Sequence, residues 1–235
     1  MVLILGHRGL KGKIENTLPA FRRALKYADG IELDVWRTLD GKIIVSHNGH
    51  IDGTRVGNLT LRDVKLRTGN VLTLKRVLGE FRESFFNIDI KDVDAVEDSI
   101  KLAEEFKVEA VFSSDRTDVV QSLLRECPNC RVGFSITRYS SLLALPSFRD
   151  IYSLHVPMDT VSYVGFRNVV SLMKFFRKRG LKLFLWNYEM EELVWVPKFI
   201  PFIDAVISDD PARLRKALLA RGLHTEKGEH HGGLE

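Results

Sequence analysis

Glu32 and Asp34 stand two residues apart in the strand-like run Gly30-Ile31-Glu32-Leu33-Asp34-Val35. Alternation along a strand points both carboxylates to the same side. A parallel strand covered on both faces is normally apolar throughout, so two like charges facing one interior need a counter-ion. Carboxylate oxygens are hard ligands, and one divalent cation such as Mg²⁺, Ca²⁺ or Mn²⁺ would relieve both desolvation and repulsion. A salt-bridged pair at a strand end is the alternative. The anomaly returns in Phe86-Asn87-Ile88-Asp89-Ile90-Lys91, where Asn87, Asp89 and Lys91 share one face. Asp89 would complete the ligand set, and Lys91 would meet a phosphate oxygen as charge develops on it.

His7 and Arg8 end another apolar run within Gly6-His7-Arg8-Gly9, and His47 ends Ile43-Ile44-Val45-Ser46 in a similar way. Two imidazoles at strand ends beside candidate metal ligands suit general acid–base work. The glycines at 6, 9 and 12 fit neither G-x-G-x-x-G nor the lysine-containing phosphate loop, since Ile14 follows Lys13. They read as a turn or as a close approach of backbone to phosphate.

Side chains so placed need strands to carry them. Short apolar runs recur at Val2–Gly6, Gly30–Val35, Lys42–Ser46, Phe86–Ile90, Ala110–Ser113, Arg131–Ile136, Tyr152–Val156, Leu181–Trp186 and Ala205–Ser208. Most are separated by amphipathic stretches, among them Thr17–Ala28, Val93–Phe106, Asp118–Glu126, Val169–Arg179 and Pro211–Arg221. Alternating β and α units predict a parallel sheet, and about eight of them predict closure into a (β/α)₈ barrel of the TIM type, an α/β fold. One catalytic domain is expected over residues 1–223. A segment over about 48–70, rich in Gly, Asn, Asp and Thr, reads as a small insertion over the active face. Residues 224–235 read as a solvated polar tail.

The 235-residue length suits one such barrel, and the apolar and charged fractions of 45% and 28% are those of a protein with a full core. The net charge of +4 favours anionic partners, yet the basic residues are scattered and no nucleic-acid stripe appears. Val2-Leu3-Ile4-Leu5 is too short for a leader core or a membrane span, so a cytoplasmic enzyme without stable membrane association is expected. Cys127-Pro128-Asn129-Cys130 has no second ligand pair for zinc and follows a helix rather than opening one. It reads as a structural turn, open to a disulfide, opposite the active face.

At this point the sequence resembles the glycerophosphodiester phosphodiesterase family, barrel enzymes with a small insertion. The resemblance rests on His7-Arg8-Gly9, Glu15-Asn16-Thr17, Gly30-Ile31-Glu32-Leu33-Asp34, Val45-Ser46-His47, Asn87-Ile88-Asp89-Ile90-Lys91, Trp186 and Ile203 to Pro211. It implies Glu32, Asp34 and Asp89 as metal ligands, His7 and His47 as acid and base, and Arg8 and Lys91 as phosphate-binding cations. It also implies Glu15 as an acidic group near the site and Trp186 as an aromatic packing on the glycerol or head group. The implied substrate is a small glycerophosphodiester, cleaved to glycerol 3-phosphate and an alcohol. Two departures concern the site. Asp89 stands where the family usually has Glu, and Asn48 follows His47 where Asp is usual. A lysophospholipase D would share the chemistry but need an apolar wall near the insertion, which is polar and short. A barrel that binds phosphodiesters without turnover is the remaining alternative.

Overall fold

The computed structural model describes residues 2–138, 140–148 and 150–223. The polar tail predicted at 224–235 lies outside them. The strands are β1 (Leu3–His7), β2 (Gly30–Arg37), β3 (Ile43–Val45), β4 (His50–Ile51), β5 (Thr54–Arg55), β6 (Phe85–Ile90), β7 (Glu109–Ser114), β8 (Arg131–Ser135), β9 (Ser153–Pro157), β10 (Lys182–Trp186) and β11 (Ala205–Ser208). The helices are α1 (Leu18–Ala24), α2 (Leu61–Thr68), α3 (Leu74–Glu80), α4 (Val96–Phe106), α5 (Thr117–Glu126), α6 (Ser141–Ala144), α7 (Val161–Val164), α8 (Phe166–Lys178), α9 (Glu192–Phe199) and α10 (Pro211–Ala220).

The main sheet runs β1-β11-β10-β9-β8-β7-β6-β2-β3, and β1 also pairs with β2 to close the ring. Every pairing around that ring is parallel. Within the main sheet, among the described residues, β3 alone lies outside the ring, antiparallel to β2 with Val45 opposite Val35. The Lys42–Ser46 run is therefore not a barrel stave as read from sequence. It is the return arm of a hairpin, and short apolar runs carry no signal of strand direction.

Period-two alternation divides each stave between two environments. Ile31, Leu33 and Val35 of β2 and Ile88 and Ile90 of β6 pack outward with Phe21, Leu74 and Val96 of the helices. Leu5, Val111, Phe184, Ala205 and Ile207 fill the barrel interior as a separate cluster. Above it the inward positions of β2 and β6 become Glu32, Asp34, Asn87 and Asp89, all buried. Polar groups begin where the apolar plug ends, at the carboxyl end of the strands.

The 48–70 insertion contains the β4–β5 hairpin and α2, whose first turn is closed by a reciprocal Thr60–Asp63 capping box. Val56, Leu59 and Val64 pack on Ile44, with Trp36 at the margin, so this polar-looking segment has a small core of its own. None of its residues lines the central pocket. Arg55 ties it to Asp92 just beyond β6 at 2.6 Å. At the opposite end of the barrel, Cys127 and Cys130 form a disulfide between α5 and β8, where the turn was expected.

Candidate active site

A pocket of about 270 Å³ opens at the carboxyl ends of the staves. Strand register brings its acids together: Glu32 lies opposite both His7 and Asn87, and Asp34 lies opposite Asp89. Oxygens of Glu32, Asp34 and Asp89 fall within 4.8 Å of one another. Lys91 Nζ bridges Asp89 and Asp34, 2.9 Å from Asp34 Oδ1. Ser113 Oγ, from the next stave, donates to Asp89 Oδ1 at 2.9 Å and accepts from Asn87 Nδ2 at 3.2 Å.

Lys91 lies between two of the three buried carboxylates, with Arg8 and His47 at the flank of Asp34. Burial disfavours the charged form of all three. For Asp34 that effect is overcome by Lys91, His47 and Arg8, which hold its carboxyl well below the usual range. Glu32 is pushed well above its ordinary value by burial and by the charges of Asp34 and Asp89. Asp89 is also raised, by burial against the opposing pull of Lys91. Asp34 Oδ2 and Asn87 Oδ1 are buried without a hydrogen-bond partner. Arg8 Nε and His47 Nδ1 approach Asp34 Oδ2 at 3.2 and 3.3 Å, close enough for charge attraction but not aligned to donate. A surplus of hard oxygen donors, one of them orphaned, matches what a Mg²⁺- or Ca²⁺-type ion requires.

Both predicted histidines reach this cluster by different routes. His7 ends β1 and lies 3.9 Å from Glu32 Oε2. His47 follows β3, and the antiparallel pairing returns it to Asp34 rather than to a stave end of its own. Arg8 takes a left-handed backbone conformation (φ 51°), and its N–H donates to Glu32 Oε2 at 3.0 Å. The turn depends on Gly9 (φ 78°), where a Cβ would lie 2.7 Å from the Phe21 ring. Gly6 and Gly9 pack the turn against α1.

Glu15 does not line the pocket. It sits behind Arg8, accepting from its Nη1 at 2.9 Å and from Gly12 N–H at 3.0 Å. Trp186 does line the pocket, edge-on to Tyr188 with ring centroids 4.4 Å apart.

The sequence reading missed Asp209. His7 Nδ1 lies 2.5 Å from its Oδ1, and Lys11 Nζ donates to Oδ2 at 3.0 Å. Those two partners outweigh burial and keep Asp209 below the usual carboxylate range. An ionised Asp209 fixes the ring proton on Nδ1 and leaves Nε2 to face the acid cluster. The stretch Ser208-Asp209-Asp210-Pro211 concealed this, because acids before a proline read as a helix cap, and Asp210 does cap α10 through Arg213 N–H. Also unforeseen is His155, which stacks on Phe184 in the pocket floor and is driven down to about 3 by burial. A lone histidine in an apolar run carries no distinguishing pattern.

A closed parallel barrel with carboxylates, a lysine and two histidines at its carboxyl end defines an α/β-barrel protein with an acid cluster of metal-binding type. The model of the Glycerophosphoryl diester phosphodiesterase family matches residues 7–213, and the chain belongs to that family. It is 28% identical to the Glycerophosphodiester phosphodiesterase of Caldanaerobacter subterraneus over 90% of this chain and 96% of that protein. Mouse Lysophospholipase D GDPD1 is 26% identical over 60% of this chain and 54% of its own length. The crystal structure of the glycerophosphodiester phosphodiesterase from Thermotoga maritima superimposes with a TM-score of 0.76 at 28% identity, covering 92% of this chain and 98% of that one.

Proposed function

We propose that the protein hydrolyses small glycerophosphodiesters to glycerol 3-phosphate and an alcohol, with a divalent cation held by Glu32, Asp34 and Asp89. The observation that carries this reading is the register-matched acid cluster flanked by Lys91, Arg8, His7 and His47 in one pocket. When bound, the cation supplies charge neutralisation at the non-bridging phosphate oxygens. Lys91 and Arg8 orient the phosphate and meet the charge that builds on it. His7 and His47 divide the proton work, one receiving the proton of the attacking oxygen and the other returning one to the departing alkoxide. This inventory is the same for attack by water or by a neighbouring glycerol hydroxyl. Asp209 holds His7, Glu15 holds Arg8, and Trp186 with Tyr188 offers a ring face to the organic part of the substrate.

The assay is metal-stripped protein supplied with glycerophosphocholine or glycerophosphoethanolamine and titrated with Mg²⁺, Mn²⁺ or Ca²⁺. Metal-restored release of glycerol 3-phosphate is the expected result. Folded protein that releases none with any of the three ions overturns the reading.

A second substrate class has one observation in its favour. A cavity of about 550 Å³ adjoins the pocket through Thr137 and Tyr188. Its walls include Ile136, Leu142, Val156, Pro157 and Leu172, and it continues through Leu142 and Leu172 into a further apolar cavity of about 440 Å³. This lining supports a lysophospholipid wall on the β8–β10 side rather than at the insertion. A lysophospholipid run beside the soluble diesters tests it: turnover supports this class, and its absence restricts the enzyme to water-soluble substrates. Among the described residues no helix is long and apolar enough to cross a membrane.

A further inference from the structure

Glu192 is a buried carboxylate that the chemistry above does not use. It begins α9, is 9% exposed, and is not among the residues lining the catalytic pocket. Its Oε2 accepts from Ser208 Oγ at 2.5 Å, and its Oε1 accepts from the Asp209 backbone N–H at 2.7 Å. Ser208 Oγ in turn accepts from Asp210 N–H at 3.2 Å. Ser208 is the last residue of β11 in register with β1, opposite Gly6. Beyond it the ladder no longer holds the chain, and the Glu192 carboxylate takes over.

We propose that Glu192 is a positioning residue for His7, acting through Asp209. The proposal rests on the acid–base role assigned to His7. Two acceptor oxygens on one rigid carboxylate engage the hydroxyl of Ser208 and the N–H of Asp209, which fixes the peptide between them. The orientation of that peptide sets where the Asp209 side chain emerges, and Asp209 Oδ1 meets His7 Nδ1 at 2.5 Å. A site of this kind tolerates displacements of only about 0.5 Å. Holding a loop against the barrel would need only one acceptor for one N–H, and any polar cap supplies that. Glu192 places a second carboxyl behind the first, and burial pushes it up to about 7 against the stabilising hydrogen bonds of Ser208 and Asp209. Such a group is costly to retain in a helix that could begin with an apolar residue. The geometry, reaching the active histidine in two steps, supplies the reason for it.

The test is a double-mutant cycle on the full chain with saturating metal and glycerophosphocholine. Glu192→Ala is expected to lower kcat about tenfold or more, the scale of losing hydrogen bonds to a charged group, with KM within about twofold. Glu192→Gln keeps an acceptor for Asp209 N–H and is expected to recover most of the loss. In an Asp209→Ala background Glu192→Ala is expected to lower kcat no further, because the path it acts through is already cut. Losses that multiply in the double variant, or a raised KM with unchanged kcat, overturn the proposal. Chemical unfolding of all four proteins separates a stability effect, and Glu192→Gln replaces Glu192→Ala in the cycle if the alanine variant does not fold. A second readout is independent of turnover: the nitrogen-15 NMR signature of the His7 tautomer. It is expected to be unchanged in Glu192→Gln and altered in Glu192→Ala or, if that variant does not fold, in Glu192→Asp, whose shorter reach cannot keep both bonds. A wild-type chain that turns over no diester removes the proposed function, and the NMR comparison then decides the positioning claim alone.

Discussion

Two buried charge clusters lie at opposite ends of the barrel, and they are balanced differently. At the amino-terminal end Arg215 of α10 meets Asp29 just before β2, with Nη2 at 2.7 Å from Oδ2. Arg215 Nε also donates to the Tyr27 carbonyl, and Ile4 N–H donates to Asp29 Oδ2. One cation answers one anion there, and no fully buried side-chain atom of either is without a hydrogen-bond partner. At the carboxyl end three carboxylates share Lys91, with Arg8 and His47 at the flank of Asp34, and Asp34 Oδ2 has no aligned hydrogen-bond donor. A buried pair with complete pairing holds a structure together. A buried cluster with surplus anionic oxygen is built to receive something positive, and this contrast separates scaffold from site more sharply than burial does.

The largest expected effect falls on the carboxyl end. His7→Ala or His47→Ala should lower kcat by about 10²–10⁴-fold while leaving the unfolding transition in place. Near-normal rates in both would dissolve the acid–base assignment. At the other end the pattern should invert. Arg215→Met strands Asp29 in the interior and should cost about 3–5 kcal/mol in urea unfolding, with kcat of the surviving folded protein unchanged. A loss of turnover without loss of stability there would show that the two ends are not independent.

The carboxyl-end cluster was legible in the sequence because it breaks a rule. Glu32, Asp34 and Asp89 interrupt runs that should be apolar on both faces, and alternation then places them together without any coordinates. The staves were legible for the same reason. Asp209 was not, since its neighbour Asp210 accounts for an acid before Pro211 as a cap, and nothing local says that His7, 202 positions away, lies beside it. The helix α9 went unseen because it carries Pro197 and no clear polar face. For β3 the run was recognised but not its direction, and that direction is what brings His47 back to Asp34. Contacts written by register or by distant chain segments are silent in local pattern, whereas anomalies of pattern are not.

Metal should sharpen the comparison, because it acts on one end alone. Divalent cation at about a hundredfold excess over its dissociation constant should stabilise the fold by about 2.7 kcal/mol, and Glu32→Gln should reduce that gain. The pH slope has a definite sign. A carboxyl raised on folding contributes stability that is complete below its unfolded value and lost as pH climbs through the folded one. Glu32 starts from 4.5 and is raised well above it, so its own contribution to metal-free protein should fall as pH rises from about that value, while His155, driven down to about 3, adds an opposing rise that ends near 6.5 and that metal leaves in place. Bound metal should flatten the Glu32 part of the slope. Glu192, pushed up to about 7, adds a slope of the same sign between 4.5 and 7 that metal leaves in place. Unfolding midpoints across that range with and without Mg²⁺ separate the two, and a slope indifferent to metal would argue that the acids are merely paired.

The smallest expected effect concerns Asp89, the proposed ligand that is one methylene shorter than the glutamate the family resemblance leads one to expect. Asp89 is held from two sides, by Ser113 Oγ at 2.9 Å and by Lys91. A glutamate there must find room for one more carbon against Asn87 and Ser113, both buried. Divalent cations of the calcium type accept variable carboxylate reach, so the longer side chain can serve as a ligand if Ser113 releases it. Asp89→Glu should therefore keep kcat within about tenfold, the scale of a tolerated volume change below ~1.5 kcal/mol. Asp89→Glu combined with Ser113→Ala should do at least as well, because the bond that holds the shorter carboxylate back is gone. A loss of a hundredfold or more in the single variant, undiminished in the double, would mean that the pocket is shaped around the shorter acid itself, and that Lys91 rather than Ser113 fixes its reach.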